Sequence, residues 1–368
     1  MSRPVVLHVL EALEGGTARH VVDLVRHAGG VEHHVAVPRV RVGGVTDRAA
    51  ADQVRAAGGV VHDVDMRRLP VHPRNAVAVA RLAVLARRTR ADVLHGHSSV
   101  GGALARALPV RAARVYTPNG LHPAPAAARV ERLLGRRTDR LVAVSASEGA
   151  LAQRLGLVDP ARLVVVPNGV DLDPPAPVDL HARAGLAPGT PLVGTVARLS
   201  HQKAPEDFVA VAARVLRARP DVAVVLVGDG PLAPQVDAQA AALGPRFVRL
   251  PELPGAAAAL GSLDVFCLLS RFEGGPYAPL EAARAGVPLV LTDVVGSTDV
   301  AVDGVSGRVV AQGDVEGAAR AVLDLLADPA LARRTADAMR DRLAAHFDVR
   351  AQGARHTALY RELSGGPP

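Results

Sequence analysis

Ser270–Gly286 reads SRFEGGPYAPLEAARAG, and the stretch around it decides the architecture. It follows an apolar run, Val265–Leu268, whose Val, Phe, Cys and Leu suit a strand buried on both faces. A Gly-rich turn comes next, then Leu280, Ala282 and Ala283 at helical spacing, then a second apolar run, Pro288–Leu291. Pro276 or Pro279 can occupy the first helical turn, where a missing N–H costs nothing. Gly274 and Gly275 let backbone approach a ligand closely, and the free N–H groups of a helix start suit an anion. Glu273 stands in the turn and Glu281 on the helix, two carboxylates suited to accept hydrogen bonds from sugar hydroxyls.

Strand–turn–helix units of this kind recur along the chain. In the first half, candidate strands are Val5–Leu10, His34–Val37, Val60–Asp63, Asp92–His95, Arg114–Thr117, Leu141–Val144 and Leu163–Val166. Helix-period stretches lie between them, among them Thr17–Ala28, Asn75–Thr89, Ser99–Ala107 and Ser145–Leu155. The segment Pro167–Pro177, PNGVDLDPPAP, breaks the rhythm and reads as a linker. A second series follows: Leu192–Ala197, a helix over Pro205–Arg219, Val222–Val227, a helix near Leu232–Leu243, Phe247–Leu250, Val265–Leu268, Pro288–Leu291 and Gly307–Val310. The end reads as helix over Val315–Leu326, Pro329–Ala345 and Val349–Leu363. Strands alternating with helices indicate parallel α/β sheets, so the expectation is two doubly wound domains facing across a cleft.

The 368 residues allow two or three domains. Hydrophobic residues make up 49% and charged residues 21%, which excludes disorder as the dominant state. Cys267 stands alone, so an internal disulfide framework is excluded and a reducing compartment is expected. No apolar run approaches the roughly 20 residues of a membrane span, and MSRPVV lacks a signal-peptide core, so a cytoplasmic chain is expected. The net charge of +7 is uneven. Residues 1–180 hold 24 Arg against 16 Asp+Glu, and the remaining 19 cations meet 20 acids in the second half. That asymmetry suits anionic lipid headgroups or a phosphorylated substrate, or it is a solvated surface produced by an arginine-rich composition. With eight aromatics and no Trp, a nucleic-acid partner is not expected.

Of 43 Lys+Arg, only Lys203 is lysine. It closes GTVARLSHQK, Gly194–Lys203, after the first strand of the second half. Arg198 and Lys203 are two fixed cations able to neutralise a diphosphate leaving group. Gly15-Gly16-Thr17 opens a helix after the first strand and makes an anion-accepting N-terminus, although no dinucleotide fingerprint is present.

The string from Glu273 to Pro288 resembles the donor-site motif of retaining GT-B glycosyltransferases of family 4 (glycosyl transferases group 1). Glu273, Gly274, Glu281, Ala282, Gly286 and Pro288 match its E-x7-E pattern, whereas Gly275-Pro276 replaces the commoner Phe-Gly. Arg198 and Lys203 match its R-L-x-x-x-K motif. The resemblance implies a GT-B fold, with a glycosyl group moved from a nucleotide-diphosphate sugar to an acceptor hydroxyl. Retention of anomeric configuration and independence of metal and cofactor are implied as well. Arg198, Lys203 and Glu273 would act catalytically. Gly15, Gly16, Gly228, Leu250, Glu252, Leu253, Gly274, Gly275, Pro276, Tyr277 and Glu281 would line the donor, with Glu281 on the ribose. HGHSS at His95–Ser99 and YTPNG at Tyr116–Gly120 are similar to polysaccharide-assembly members, placing Thr17, His97, Asn119 and His122 on the acceptor side. Asn119 stands where the family usually has histidine and cannot titrate. Asp171-Leu172-Asp173 is a D-x-D string in the linker, read as a hinge feature rather than a metal site.

The expected domains are 1–170 with about 350–368 for the acceptor, a linker at 171–185, and 186–349 for the donor. A peripheral contact of the basic first domain with anionic membrane is also expected. Two alternatives stay open: a sugar-nucleotide epimerase of the same architecture, and a non-catalytic nucleotide-sugar-binding relative.

Overall fold

The computed structural model describes residues 3–39, 48–67, 72–121, 125–251, 253 and 255–365. The chain separates into two compact units, Met1–Gly169 with Val349–Pro368, and Val170–Asp348.

The first unit alternates strand and helix: β1 (Val5–Val9), α1 (Gly15–His27), β2 (Glu32–Val37), α2 (Arg48–Ala56), β3 (Val60–Asp63), α3 (Arg74–Arg88), β4 (Val93–His97), α4 (Ser98–Ala107), β5 (Ala113–Thr117), α5 (Pro125–Gly135), β6 (Arg140–Ala143), α6 (Ala146–Arg154) and β7 (Leu163–Val165). The strands form one parallel sheet in the order β3-β2-β1-β4-β5-β6-β7. Successive strand residues face opposite sides, so β1 sends Leu7 and Val9 into one core layer with Leu82, Leu94 and Leu104. Val6 goes to the other, with Val93, Val115 and Tyr360. Both faces are therefore buried, one with a mainly apolar layer and the other with histidines of β1, β2 and β4 among its apolar residues. The sequence reading passes over the helices α2 and α5, although both are clearly amphipathic.

The second unit holds α7 (Leu180–Ala184), β8 (Leu192–Val196), α8 (Pro205–Ala218), β9 (Ala223–Val227), α9 (Ala233–Ala240), β10 (Phe247–Leu250), α10 (Ala256–Ala259), β11 (Val265–Leu268), α11 (Tyr277–Arg284), β12 (Leu289–Thr292), α12 (Ser297–Val300), β13 (Arg308–Val310), α13 (Val315–Ala327) and α14 (Pro329–His346). Its parallel sheet runs β10-β9-β8-β11-β12-β13. Val193, Val224, Val265 and Val290 pack on one face against Phe208 and Val322. Leu192, Val225, Phe266 and Leu289 pack on the other against Leu280 and Met339.

Within the segment read as linker, 171–185, the second half is ordered into this unit. Asp179 caps α7 by accepting from the His181 and Ala182 amides, and Leu180 is 2% exposed. Val170 pairs with Asp348, and its N–H reaches the Phe347 carbonyl at 2.8 Å, so the two points where the chain crosses between units lie side by side. The last helix, α15 (Val349–Leu363), belongs to the first unit and packs on α1. Gly353 permits this approach: a Cβ there would stand 2.4 Å from the His27 carbonyl oxygen.

Candidate donor and acceptor sites

In the second unit the chain runs outward from β8 in both directions, so β8 and β11 are neighbours whose following loops diverge. Such a switch point, at the carboxyl ends of parallel strands, is where open α/β sheets bind ligands. The loops here carry Lys203 and Glu273.

Lys203 ends a single 3-10 turn, His201–Lys203, after β8. Ala204 then adopts φ +46°, and Pro205 starts α8. The left-handed residue turns the chain sharply enough to leave Lys203 beside the loop after β11. Its Nζ donates to Glu273 Oε1 at 2.5 Å, with Glu273 only 5% and Lys203 21% exposed. Further bonds join the two loops. Gln202 Nε2 donates to the Phe272 carbonyl at 3.0 Å and the Arg271 amide to the Gln202 carbonyl at 2.8 Å. Arg271 also pairs with Glu206 at 2.8 Å. Residues 70 apart in sequence are thus held as one rigid element.

Glu273-Gly274 is backed by Gly296, at the start of α12. Gly296 has φ +84°, and a Cβ on it would stand 2.5 Å from the Gly274 carbonyl oxygen. The sequence gives no local sign of this glycine's part in the site, because a strand separates it from the motif and only the turn after β12 brings it back. Helix α11 begins at Tyr277 with Pro276 as its N-cap residue and Pro279 within its first turn. Gly275, Pro276 and Tyr277 therefore form the turn onto its N-terminus, and Glu281 is half-buried on the helix. Arg198 is exposed in the loop after β8. Gly228, after β9, has φ +148° and presses on the Ala197 carbonyl. Its N–H donates to Leu250 O at 2.8 Å, tying the β9 and β10 ends together, while Leu253 packs against the core. Glu252 lies outside the described residues.

The first unit repeats the geometry at β1 and β4. Gly15 (φ +56°) and Gly16 are exposed at the start of α1, with Thr17 half-buried beside them. Across the switch point, Glu11 accepts from Ser98 Oγ at 2.7 Å and from the Gly101 amide at 3.3 Å. Asn119 is half-buried with φ +56°, a conformation Asn tolerates better than most residues. Its turn is held by Glu148, fully buried, which accepts from the amides of Gly120 (2.7 Å), Leu121 (3.0 Å) and Val144 (2.9 Å). Glu148 was missed although S-x-x-E at Ser145–Glu148 is a capping-box signal; Ser145 Oγ does accept from the Glu148 amide. His97 is 0% exposed and bonded to His8, whereas Thr17 and Asn119 reach solvent. His122 lies outside the described residues. Asp171 Oδ1 accepts from the Asp173 amide at 3.2 Å in a local turn.

Comparison with known proteins places the chain. Residues 14–174 match the model for "Glycosyltransferase Family 4" and residues 179–342 that for "Glycosyl transferases group 1". Together these span most of the chain, which belongs to this glycosyltransferase family. Among relatives, a glycogen synthase of Mycobacterium tuberculosis is 31% identical over 246 residues, 64% of this chain and 57% of that protein. A 2-deoxystreptamine glucosyltransferase of Streptomyces kanamyceticus is 33% identical over 258 residues, 66% of this chain and 65% of that one. The chain spans about half to two thirds of the length of the curated relatives it matches. The fold is that of solved GT-B proteins. Sucrose-phosphate synthase of Thermosynechococcus elongatus superposes with a TM-score of 0.82 at 19% identity, covering 99% of each chain. Anabaena HepE in complex with UDP-glucose gives 0.81 at 18%, covering 97% of this chain and 99% of that one.

Proposed function

We propose that this protein transfers a glycosyl group from a nucleotide-diphosphate sugar to an acceptor hydroxyl, with retention and without a metal ion at the diphosphate. The observation that carries the reading is the Lys203–Glu273 pair at the switch point of the second sheet. A diphosphate leaving group needs positive charge that grows in importance as the glycosidic bond breaks. Lys203 and the exposed Arg198 supply it from fixed positions, and preorganised charge is the strongest stabilisation such a site can offer the transition state. A lysine suits the task because it is a point charge on a flexible stem, able to shift from Glu273 toward a phosphate oxygen. Glu273, released, accepts from sugar hydroxyls; Glu281 accepts from the ribose. The amides of Gly274, Gly275 and Tyr277 face sugar and phosphate, with Gly228, Leu250, Glu252 and Leu253 toward the nucleobase. Gly15 and Gly16 open α1 and offer its free amides to an anionic group. Thr17, Asn119 and His122 serve the acceptor, while the interior His97 supports the end of β4. Catalysis is then positioning and electrostatics, with no protein nucleophile.

The relatives named for glycogen, aminocyclitol and phosphatidylinositol glycosylation support a carbohydrate or natural-product acceptor. A thermal-shift panel of UDP-, GDP-, ADP- and dTDP-sugars tests the donor side. One nucleotide class should raise the melting temperature and be hydrolysed slowly to the nucleoside diphosphate; no stabilisation by any would overturn the reading. Among the described residues no helix is long and apolar enough to cross a membrane. We place the arginine-rich first unit against anionic lipid. Val130 and Leu133 of α5 are 52% and 63% exposed among Arg129, Arg132, Arg136 and Arg137, an arrangement that suits such contact. Vesicles containing phosphatidylglycerol should bind the protein at low salt and release it at high salt; absence of binding at low salt refutes the contact.

A further inference from the structure

The first unit contains a polar layer that the transfer chemistry does not use. Three adjacent strands and two helices place histidines on one face of the sheet: His33 on β2, His8 on β1, His95 and His97 on β4, His20 on α1 and His356 on α15. Five of the six are 0% exposed and His33 is 5% exposed. Their rings lie close, with centroids 4.0 Å apart for His95 and His97, and 5.3 Å for His8 with either His33 or His97.

The hydrogen bonds dictate how the protons sit. The Ala28 carbonyl can only accept, so His33 Nε2 carries a proton toward it at 3.2 Å. His33 Nδ1 is then an acceptor and His8 Nε2 donates to it at 3.0 Å. His8 Nδ1 is left as a lone pair, 3.0 Å from His97 Nε2. Once His97 donates there, His97 Nδ1 has a buried lone pair and no partner among the described residues. His20 Nε2 and His356 Nε2 are likewise buried without partners. Buried polar atoms left unsatisfied cost about 1–3 kcal/mol each, so this is a polar layer that the described side chains do not fully satisfy.

We propose that His8, His95 and His97 bind one divalent transition-metal ion of the zinc type. Each ring offers a nitrogen, and the three nitrogens lie within 4.8 Å of one another. A tetrahedral ion with Zn–N bonds of ~2.0–2.1 Å holds its nitrogens ~3.4 Å apart, so the rings need to close by about an ångström. An ion on His8 Nδ1 takes the place of the His97 Nε2 proton accepted there, that proton moving to His97 Nδ1, while the His33–Ala28 relay orients the His8 ring from behind. His95 has Tyr360 Oη at 2.7 Å and Thr117 Oγ1 at 2.8 Å on its two nitrogens, so one hydroxyl orients the ring when the other nitrogen ligates. Neutral imidazoles select zinc, copper, nickel or cobalt over magnesium and calcium. The ion would brace β1, β4 and, through Tyr360, α15. It is a structural role in the first unit, separate from the donor residues of the second.

The test uses the full chain stripped with chelator and titrated with Co²⁺ or Zn²⁺. Wild type should bind one equivalent, give the visible absorption of low-coordinate Co²⁺, and melt ~5–10 °C higher at a hundredfold excess over Kd. His95→Gln and His97→Gln should weaken binding at least ~100-fold, and His33→Gln ~10–100-fold through ring orientation. X-ray absorption at the zinc edge of the wild type, which needs no variant, should show about three imidazole scatterers. Lack of a saturable equivalent, unchanged affinity in a folded His95→Gln/His97→Gln variant, or an oxygen-dominated zinc spectrum overturns the proposal.

Discussion

Replacing Lys203 by alanine tests the donor site most directly, because the same side chain is placed in two separable roles. In the resting protein it neutralises Glu273, which is 5% exposed, from a position itself 21% exposed. Removing one partner of a buried pair costs about 3–5 kcal/mol; the partial exposure of Lys203 lowers this to about 2–3 kcal/mol. In a unit of this size each kcal/mol lowers the melting temperature by about 2–4 °C, so Lys203→Ala should melt about 4–12 °C lower. In the reaction, loss of one preorganised charge at the leaving group should reduce turnover by about 10²–10³. Calorimetry and nucleoside-diphosphate release, read on Lys203→Ala, Glu273→Gln and the double variant, separate the two roles. The double variant should recover most of the lost stability, because a neutral amide needs no cation, yet remain inactive. Lys203→Arg should keep most of the stability but lose at least about tenfold in turnover, since a planar fork does not follow the lysine stem. Wild-type turnover in Lys203→Ala would refute the assignment, whatever its melting temperature.

Glycine positions and acid sensitivity offer independent checks. Gly296→Ala should cost about 2–4 kcal/mol and abolish donor stabilisation, because its Cβ meets the Gly274 backbone at φ +84°. Gly15→Ala, at φ +56° with nothing within 4 Å, should cost only about 1 kcal/mol; equal denaturation midpoints for the two variants would contradict this. Acid should destabilise the metal-free first unit. Burial pushes His20 and His33 down to about 4 and His356 to about 3, from 6.5. The unfolded chain therefore takes up protons that the folded one refuses, and stability present above pH 6.5 is lost as pH falls toward 4. Each ring contributes up to about 1.4 kcal/mol per pH unit, so the urea midpoint should fall between about pH 7.5 and 5; an unchanged midpoint would count against it.

Much of this was legible in one dimension. Val- and Leu-rich runs alternating with helical stretches mean strands covered on both faces, as in a parallel sheet with helices on each side. The E-x7-E string and the single lysine in an arginine-rich chain were visible because local spacing and residue choice carry their meaning directly. The helices α2 and α5 were passed over although their amphipathic period is present in the sequence. The local order inside the linker was hidden: Asp179 is a good cap, but whether Leu180 has a core to enter is not a local property.

What the sequence determined by itself was the class of fold, together with the residue types proposed for the donor site, because period and composition are properties of short segments. Tertiary structure alone decided that Lys203 and Glu273, 70 residues apart, form one ion pair, since that follows from β8 and β11 being neighbours. It alone placed Gly296 under the Glu273 turn and stacked histidines from β2, β1, β4, α1 and α15 into one buried layer. Strand order sets those meetings, and strand order is a property of the whole sheet rather than of any stretch within it.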